Sequence, residues 1–209
     1  MLGLLGGTFD PIHYGHLRPA QEVMRAAGLS ELRLLPAGQP PHRPAPVASA
    51  VQRLQMVQLA CTEFPGFIAD DRELRRDGPS YTVDTLESLR AELRTQPLCL
   101  LIGTDAFLGL ETWHEWDRLP ELAHLIVMHR PGWAIPRLPQ WASLRQAGTP
   151  AELARQPAGR IWFQAVTPQD ISGTRLRAAI ARHQPVQAWL PAPVIEYIRS
   201  QQIYLGSTS

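Results

Sequence analysis

The sequence predicts an α/β fold with a doubly wound, mostly parallel sheet and helices on both of its faces. Short apolar segments alternate with segments of helical periodicity along most of the chain, which is the pattern of right-handed βαβ units. The segment LCLLI at 98–102 is continuously apolar, as expected of a strand covered on both faces. Ligands of such sheets bind beyond the carboxyl ends of the strands, so functional residues should directly follow the strands.

The individual elements follow from the apolar patterns in chain order. Strands are predicted at 2–6, 32–36, 67–69, 98–102, 125–128 and 161–166. Helices are predicted at 15–27, 51–62, 82–94, 174–182 and 193–201, with Ser80 as the candidate cap of the third. Proline-rich segments predict loops at 37–46 and 131–157, the second with one short helix, and 104–118 is expected to be a further loop.

Size and composition limit the protein to a few classes. The 209 residues suit one domain, 1–209, whose C-terminal part at about 173–209 is expected to be helical. A formal net charge of +1 gives no reason to expect a nucleic-acid polymer or a membrane as partner, and oligomeric state is left open. No apolar run approaches the roughly 18 residues of a membrane span, so a cytoplasmic protein is expected.

The choice of basic residues excludes several kinds of site. All 20 basic residues are arginine, and the sequence contains no lysine. The chain therefore has neither the lysine of a P-loop nor the amine that Schiff-base chemistry requires. Its two cysteines are too few for a disulfide framework or a thiolate metal cage. A phosphate site in this chain therefore needs donors other than lysine.

The segment GGTFDPIHYGH at 6–16 is the strongest candidate for such a site, because it lies between the first strand and the first helix. Its two leading glycines let the backbone approach a phosphate, and the positive end of the helix points at the same place. His13 and His16 add two imidazole donors on either side of Gly15. A pair of helix-capping histidines is the simpler alternative, and metal ligation is a weaker one because no third ligand stands at suitable spacing.

The segment ISGTRLR at 171–177 follows the last strand in the same manner. Ser172 and Thr174 offer hydroxyl groups at a helix N-terminus, and Arg177 lies one turn into that helix. Because arginine binds phosphate through a planar fork, this segment suits the β- and γ-phosphates of a nucleotide. An ordinary helix cap with a solvated arginine is the alternative.

These motifs resemble the nucleotidyltransferase superfamily that carries HxGH and a late ISxTxxR. Over nearly its whole length the chain is similar to the bacterial nicotinate-nucleotide adenylyltransferase family. The matching stretches are GLLGGTFDPIHYGHL, PAGQPPHR, DRELRRDGPSYTVDTL, LIGTDAF, ETWHEW, HRPG and ISGTRLR. The resemblance implies a Rossmann-like fold and transfer of AMP from ATP to nicotinate mononucleotide, with release of pyrophosphate and with Mg²⁺ accompanying ATP.

The resemblance also implies a role for particular residues. The implied catalytic residues are His13, His16 and Arg177. The implied ATP-binding residues are Gly7, Thr8, Phe9, His16, Gly103, Asp105, Arg130, Ser172, Thr174 and Arg177. The implied contacts to nicotinate mononucleotide are Arg43, Thr82 and Trp113, with Trp116 left as a packing residue. Two positions depart from the family pattern: Gly173 replaces a frequent serine, and Arg43 replaces a frequent lysine.

Simpler readings exist for several of these positions. Asp105 can be a helix cap, both tryptophans can be core residues, and the loop with His42 can be a rigid surface loop. Arg72, Arg75 and Arg76 are expected to form a solvated face, and His114, His124 and His183 carry no usable signal.

The alternatives at the level of function are another adenylyltransferase of the same superfamily, acting on nicotinamide mononucleotide or phosphopantetheine, and a nucleotide-binding protein without turnover. The SYT and TW segments argue against phosphopantetheine, since they resemble a nicotinate-ring site. A class I aminoacyl-tRNA synthetase is excluded by the absence of a lysine-bearing second ATP motif and by the short chain.

Overall fold

The computed structural model describes residues 1–40, 45–132 and 137–205, and it forms one parallel six-stranded sheet flanked by helices. The strands are β1 Leu2–Gly7, β2 Glu31–Pro36, β3 Phe67–Ala69, β4 Leu98–Gly103, β5 His124–His129 and β6 Ile161–Ala165. The helices are α1 Tyr14–Ala27, α2 Ala50–Cys61, α3 Thr82–Leu93, α4 Thr104–Leu108, α5 Leu119–Leu122, α6 Gln140–Ser143, α7 Gly173–Ala181 and α8 Ala192–Ser200. Within the described ranges, no helix is both long and apolar enough to cross a bilayer.

The strand order β3-β2-β1-β4-β5-β6 reverses direction between β1 and β4, and all five strand pairs are parallel. This confirms the predicted doubly wound, Rossmann-like α/β class. In such sheets the crevice at the reversal point is the usual ligand site. Here the crevice has a direct geometric cause: β1 pairs with β2 as far as Gly7–Pro36, but with β4 only as far as Leu4–Leu100. The two central strands therefore separate toward their carboxyl ends.

Two hydrophobic clusters hold helices on the opposite faces of the sheet. One face is covered by α1, α2, α7 and α8, whose apolar residues form a continuous cluster with those of the strands. The other face is covered by α3 and the shorter helices between β4 and β6. Side chains of a strand alternate between faces, and accordingly Leu5 joins the first cluster whereas Leu2 and Leu4 join the second.

Two expectations about local structure were wrong. The segment after β4 is not a plain loop, because it contains α4, α5 and two single turns of 3₁₀-helix, Leu110–Thr112 and Trp116–Arg118. Apolar residues buried in these short turns, such as Phe107 and Leu110, explain why the segment folds onto the sheet. Ser80 does not cap α3: its Oγ accepts hydrogen bonds from the backbone N–H groups of Gly38 and Gln39, at 2.8 and 3.2 Å.

Candidate active site

Two glycines line the crevice between β1 and β4. Gly6 is the last residue but one of β1 and Gly103 is the last residue of β4, and both are exposed to solvent. A Cβ atom built on either would meet no other atom within 4 Å, so neither glycine is required by the packing of the protein itself. Gly3, in the buried part of β1, differs sharply: its Cβ would lie 2.5 Å from a methyl carbon of Leu32. The open backbone at the crevice is therefore free to approach a ligand.

The segment between β1 and α1, residues 8–13, is called here the phosphate loop. Phe9 adopts a left-handed conformation (φ 49°), and its ring is only 2% exposed. The buried side chain leaves the backbone of Phe9 for the expected contact with the ATP phosphates, and the ring packs edge-on against His16 with ring centroids 5.2 Å apart. Gly7 allows this packing, because a Cβ there would lie 2.7 Å from the Phe9 ring. The buried Phe9 ring therefore supports the phosphate loop by packing.

The two histidines of the motif are stacked at the start of α1. Their ring centroids lie 3.8 Å apart with an interplanar angle of 21°. Nδ1 of His16 accepts a hydrogen bond from the backbone N–H of His13 at 3.4 Å. In a neutral imidazole an acceptor Nδ1 places the proton on Nε2, so His16 presents a single N–H donor at its far edge. His16 therefore takes part in capping α1, as the simpler alternative proposed, and its Nε2–H remains available as a donor.

Burial keeps both imidazoles neutral. It lowers the pKa of His13 to about 4, and burial together with the neighbouring His13 lowers the pKa of His16 well below 6.5. Nδ1 of His13 is buried and has no hydrogen-bond partner among the described residues. It faces Gly15, where a Cβ would come within 2.8 Å of it. The paired rings thus form a desolvated, uncharged donor site that a phosphate anion would complement.

Arg177 reaches the same loop from the other end of the sequence. Its Nη1 donates to the backbone carbonyl of Asp10 at 2.8 Å and lies 3.7 Å from the Asp10 carboxylate. A Cβ at Gly173 would lie 3.3 Å from this nitrogen, so the departure from serine leaves the guanidinium more room. Ile171 packs against Gly15 at the start of α1. The structure therefore brings His13, His16 and Arg177 to one edge of the crevice.

The hydroxyl residues beside Arg177 lie at the N-terminus of α7. Ser172 is the N-cap, and its Oγ accepts from the backbone N–H of Arg175 at 3.3 Å. This bond uses the oxygen as acceptor, so the O–H remains available as a donor. Ser172 and Thr174 are both exposed. Ser172 can therefore cap α7 and donate to a phosphate at the same time.

Asp10 connects the phosphate loop to two distant segments, a function that the sequence did not reveal. Its carboxylate accepts from the backbone N–H groups of Val47 and Ala48, at 2.8 and 3.0 Å, and from the Tyr204 hydroxyl at 2.6 Å. Burial, and then the Asp10 carboxylate, raise the pKa of Tyr204, which therefore stays protonated as a donor. A partner almost 200 residues away leaves no local pattern that could identify it.

Arg53, in α2, was also missed by the sequence analysis. It is 1% exposed, and its guanidinium donates to backbone carbonyls of the phosphate loop and of the segment after β2. In the sequence of α2, Arg53 stands among apolar residues and glutamines. This pattern does not distinguish a buried arginine from a solvated one.

The opposite side of the crevice is more open. Gly103 is the N-cap of α4, and Thr104 anchors this turn by donating its hydroxyl to the Met128 carbonyl at 3.1 Å. Asp105 is exposed at the first turn of α4. Arg130 is exposed directly after β5. Asp105 and Arg130 thus follow neighbouring parallel strands at the same edge of the sheet.

The residues assigned to the nicotinate ring lie in two segments that touch. The Tyr81 and His114 rings lie 4.2 Å apart, and they bring the neighbouring residues Thr82 and Trp113 into adjoining segments. His114, which carried no usable signal, therefore joins these segments. Trp113 is half-buried at the edge of the second cluster.

Trp116 packs against Trp141, with ring centroids 5.2 Å apart, in keeping with the packing role expected of it. Arg43, the remaining predicted mononucleotide contact, lies outside the described residues, as does His42.

The expected solvated face at residues 72–76 was only partly correct. Arg75 is exposed and pairs with Asp71, but Arg72 is mostly buried and binds Asp70, Ser88 and Glu92. Arg76 donates to the Tyr81 carbonyl and to the Thr85 hydroxyl, which in turn donates to the buried Glu73 at 2.9 Å. The start of α3 is therefore held by a buried polar network, for which arginine spacing alone gives no prediction.

Comparison with known proteins identifies the family of this chain. Residues 4–179 match the cytidylyltransferase-like family. The chain is 51% identical over 206 residues to a probable nicotinate-nucleotide adenylyltransferase of Aeromonas hydrophila, covering 97% of this chain and 96% of that protein. It is 55% identical over 196 residues to another of the same name from Halorhodospira halophila, covering 92% and 90%.

A solved structure extends the likeness to the fold. Plasmodium falciparum nicotinic acid mononucleotide adenylyltransferase, complexed with NaAD, superposes with a TM-score of 0.73 over 97% of this chain and 96% of that one, at 14% identity. The two proteins therefore share one fold. The chain belongs to the cytidylyltransferase-like family and, within it, to the nicotinate-nucleotide adenylyltransferases.

Proposed function

We propose that this protein transfers the adenylyl group of ATP to the 5′-phosphate of nicotinate mononucleotide, in NAD biosynthesis. The products are nicotinate adenine dinucleotide and pyrophosphate. Family membership supports this activity. The observation that carries the proposal is the convergence of the stacked His13–His16 pair and Arg177 on a crevice whose glycine backbone is open. The proposal takes residues 1–209 as a single domain that acts in the cytoplasm.

The geometry suits in-line attack of one phosphate on another. The attacking mononucleotide phosphate is already an anion at neutral pH, so the site needs no general base. Catalysis then consists of positioning the reactants and of stabilising the charge that develops on the α-phosphate and on pyrophosphate. His13, His16 and Arg177 are the proposed donors, supported by the backbone of Gly7 and Thr8 and by the hydroxyls of Ser172 and Thr174.

The same proposal assigns the remaining sites. Gly103, Asp105 and Arg130 would hold the adenosine, with the Asp105 carboxylate accepting from ribose hydroxyls. Thr82 and Trp113 would hold the nicotinate ring, and Arg43 the mononucleotide phosphate. The nicotinate carboxylate is an anion, so N–H groups at the start of α3 would favour it over the neutral amide of nicotinamide.

Magnesium enters this proposal as part of the substrate, MgATP. Among residues 1–40, 45–132 and 137–205, no group of three or more His, Cys, Asp or Glu side chains is arranged to hold a metal ion. The donors at the crevice are imidazole N–H, guanidinium and backbone N–H groups, which suit phosphate oxygens and not a cation. Phosphate oxygens and water would therefore supply the ligands of Mg²⁺.

Pyrophosphate release tests the proposal directly. The purified protein is incubated with MgATP and, in separate reactions, nicotinate mononucleotide, nicotinamide mononucleotide or phosphopantetheine. We expect release with nicotinate mononucleotide and a higher kcat/KM for it than for the other two. A higher kcat/KM for one of those would reassign the substrate, and binding of ATP without turnover of any acceptor would contradict an enzymatic role.

A further inference from the structure

Arg53 joins the phosphate loop to the segment that directly follows β2. Its Nη1 donates to the carbonyl of Thr8 in the phosphate loop at 2.8 Å and to the carbonyl of Ala37 at 2.6 Å. Its Nη2 reaches the carbonyl of Gly38 at 3.4 Å. Residues 37–40 are called here the β2 loop, since they directly follow β2. One guanidinium therefore fixes the separation between the phosphate loop and the β2 loop.

A second clamp connects the β2 loop to the start of α3. The Ser80 hydroxyl accepts from the N–H groups of Gly38 and Gln39, and the Ser80 N–H donates to the Gln39 carbonyl at 2.9 Å. Gly38 also lies so close to Glu73 that a Cβ would come within 2.6 Å of its carbonyl oxygen. The phosphate loop, the β2 loop and the segment before Thr82 thus form one connected frame, with Arg53 as the link to the phosphate loop.

Arg53 does not act on a substrate by contact. It is 1% exposed, and its Nε is buried without a hydrogen-bond partner among the described residues. A buried cation with an unsatisfied donor is a costly choice, because desolvation of the charge offsets much of what its hydrogen bonds contribute to stability. A residue of this kind is better explained by the fixed geometry it imposes than by stability.

We propose that Arg53 is a positioning residue that sets the relative placement of ATP and the mononucleotide by tying the phosphate loop to the β2 loop. The inference rests on the proposed function, in which the phosphate loop serves ATP and Thr82, next to the β2 loop in this frame, serves the mononucleotide. In-line transfer requires the attacking oxygen to lie opposite the leaving pyrophosphate. A shift of about 1 Å between such reactants can lower a rate by about a hundredfold.

Arg90 provides a matched control. It is also an arginine that binds backbone carbonyls, those of Arg94, Gln96, Leu122 and Pro157, at 2.6–3.0 Å. These carbonyls lie near the amino ends of β4, β5 and β6, at the edge of the sheet opposite the crevice. Loss of Arg90 therefore removes similar bonds without touching either loop.

The test compares the wild type, Arg53→Met and Arg90→Met in adenylyl transfer, with thermal unfolding of each. We expect Arg53→Met to lower kcat by about tenfold to a hundredfold, with a smaller change in the KM of either substrate, because the defect lies in relative placement. Arg90→Met is expected to unfold at a lower temperature and to keep the wild-type kcat below that temperature. A wild-type kcat in folded Arg53→Met would overturn the inference, as would equal kcat losses in both variants.

Arg53→Lys keeps the inference testable if Arg53→Met does not fold. Lysine retains the charge but lacks the planar fork that spans the carbonyls, so kcat should lie between those of the wild type and the methionine variant. A kcat in Arg53→Lys lower than the wild-type value by about threefold or more supports the inference, and an unchanged kcat contradicts it. An inactive wild type would instead refute the proposed function, so the two failures are distinguishable.

Discussion

The two ends of the sheet use the same residue types for different purposes. At the amino end, His124 is fully buried, and both ring nitrogens are bonded: Nε2 to the Gln156 carbonyl at 2.9 Å and Nδ1 to the Arg160 N–H at 3.0 Å. At the carboxyl end, His13 is almost as buried, yet its Nδ1 has no partner among the described residues. A histidine with both ring nitrogens bonded stabilises the fold, whereas His13 keeps bonding capacity that no described residue uses.

The arginines and glycines follow the same division. Arg90 binds four carbonyls at the amino end, while the crevice end has Arg53 with an unpaired Nε and Arg177 partly exposed. Gly3 is required by packing, whereas Gly6 at the crevice faces open space. Unmet bonding capacity and empty space thus occur together where catalysis is proposed. Exceptions to complete internal satisfaction are most informative when they cluster in this way.

The strongest test of this division is His16→Ala. Removing one preorganised donor to developing phosphate charge should lower kcat by roughly a hundredfold or more. His124→Ala serves as the control and should leave kcat unchanged in the folded protein. Steady-state kinetics with both substrates measures the two effects, and a near-normal kcat in His16→Ala would exclude that imidazole from the reaction.

The next test is Gly6→Ala. The added methyl group meets no protein atom within 4 Å, so the unfolding temperature should stay close to that of the wild type. The same methyl group would occupy space beside the triphosphate, and kcat/KM for ATP should fall by about tenfold, which corresponds to about 1.4 kcal/mol. Gly3→Ala is the counterpart, and it should destabilise the fold through its clash with Leu32. Equal behaviour of the two variants would remove the distinction between the glycines.

An effect on stability alone, without a change in kcat, is expected for His124→Leu. The substitution leaves the Gln156 carbonyl and the Arg160 N–H without their partner, which costs about 1–3 kcal/mol for each buried group left unsatisfied. Denaturant unfolding at pH 7 measures the loss. Unchanged stability would mean that the bonds of His124 do not have the structural role described above.

The smallest effect concerns pH. His13 has a pKa of about 4 in the folded protein against an ordinary value of 6.5, so below pH 6.5 the unfolded chain binds a proton that the native state does not. The free energy of unfolding therefore falls as pH decreases from 6.5 toward 4, by about 1–2 kcal/mol for this residue between pH 6.5 and 5. His13→Gln should remove that part of the pH dependence. Denaturant titrations of the wild type and His13→Gln at the two pH values measure this difference. The same change in the free energy of unfolding with pH in both proteins would contradict the burial argument.

The fold could be predicted from the sequence because its signals are local. Each strand was recognisable from its apolar run, and the predicted bounds differ from the observed ones by a residue or two, as at 98–102 against Leu98–Gly103. The pairing of HxGH with the late arginine also followed from the rule that residues after parallel strands meet at one edge. Short helical turns after β4 were missed because their apolar residues are too few to show a period.

The supporting contacts could not be predicted, for a different reason. Arg53, Ser80 and Tyr204 act through backbone groups or through a partner far along the chain, and such contacts leave no motif. Phe9 shows the converse, since the motif includes it among the expected ligand contacts, but its buried ring leaves only its backbone for that role. A motif identifies which segment meets a ligand, but packing decides which of its side chains do so.

The bond between Tyr204 and Asp10 has a consequence for biosynthesis of the protein. Both histidines of the HxGH motif are polymerised within the first 16 residues, but the hydroxyl that anchors Asp10 is added almost 190 residues later. During translation, the nascent chain therefore cannot form the hydrogen bond between Tyr204 and Asp10 until residue 204 has been synthesised. A truncation that removes Tyr204 therefore also removes a hydrogen bond of the phosphate loop, although the two residues lie at opposite ends of the sequence.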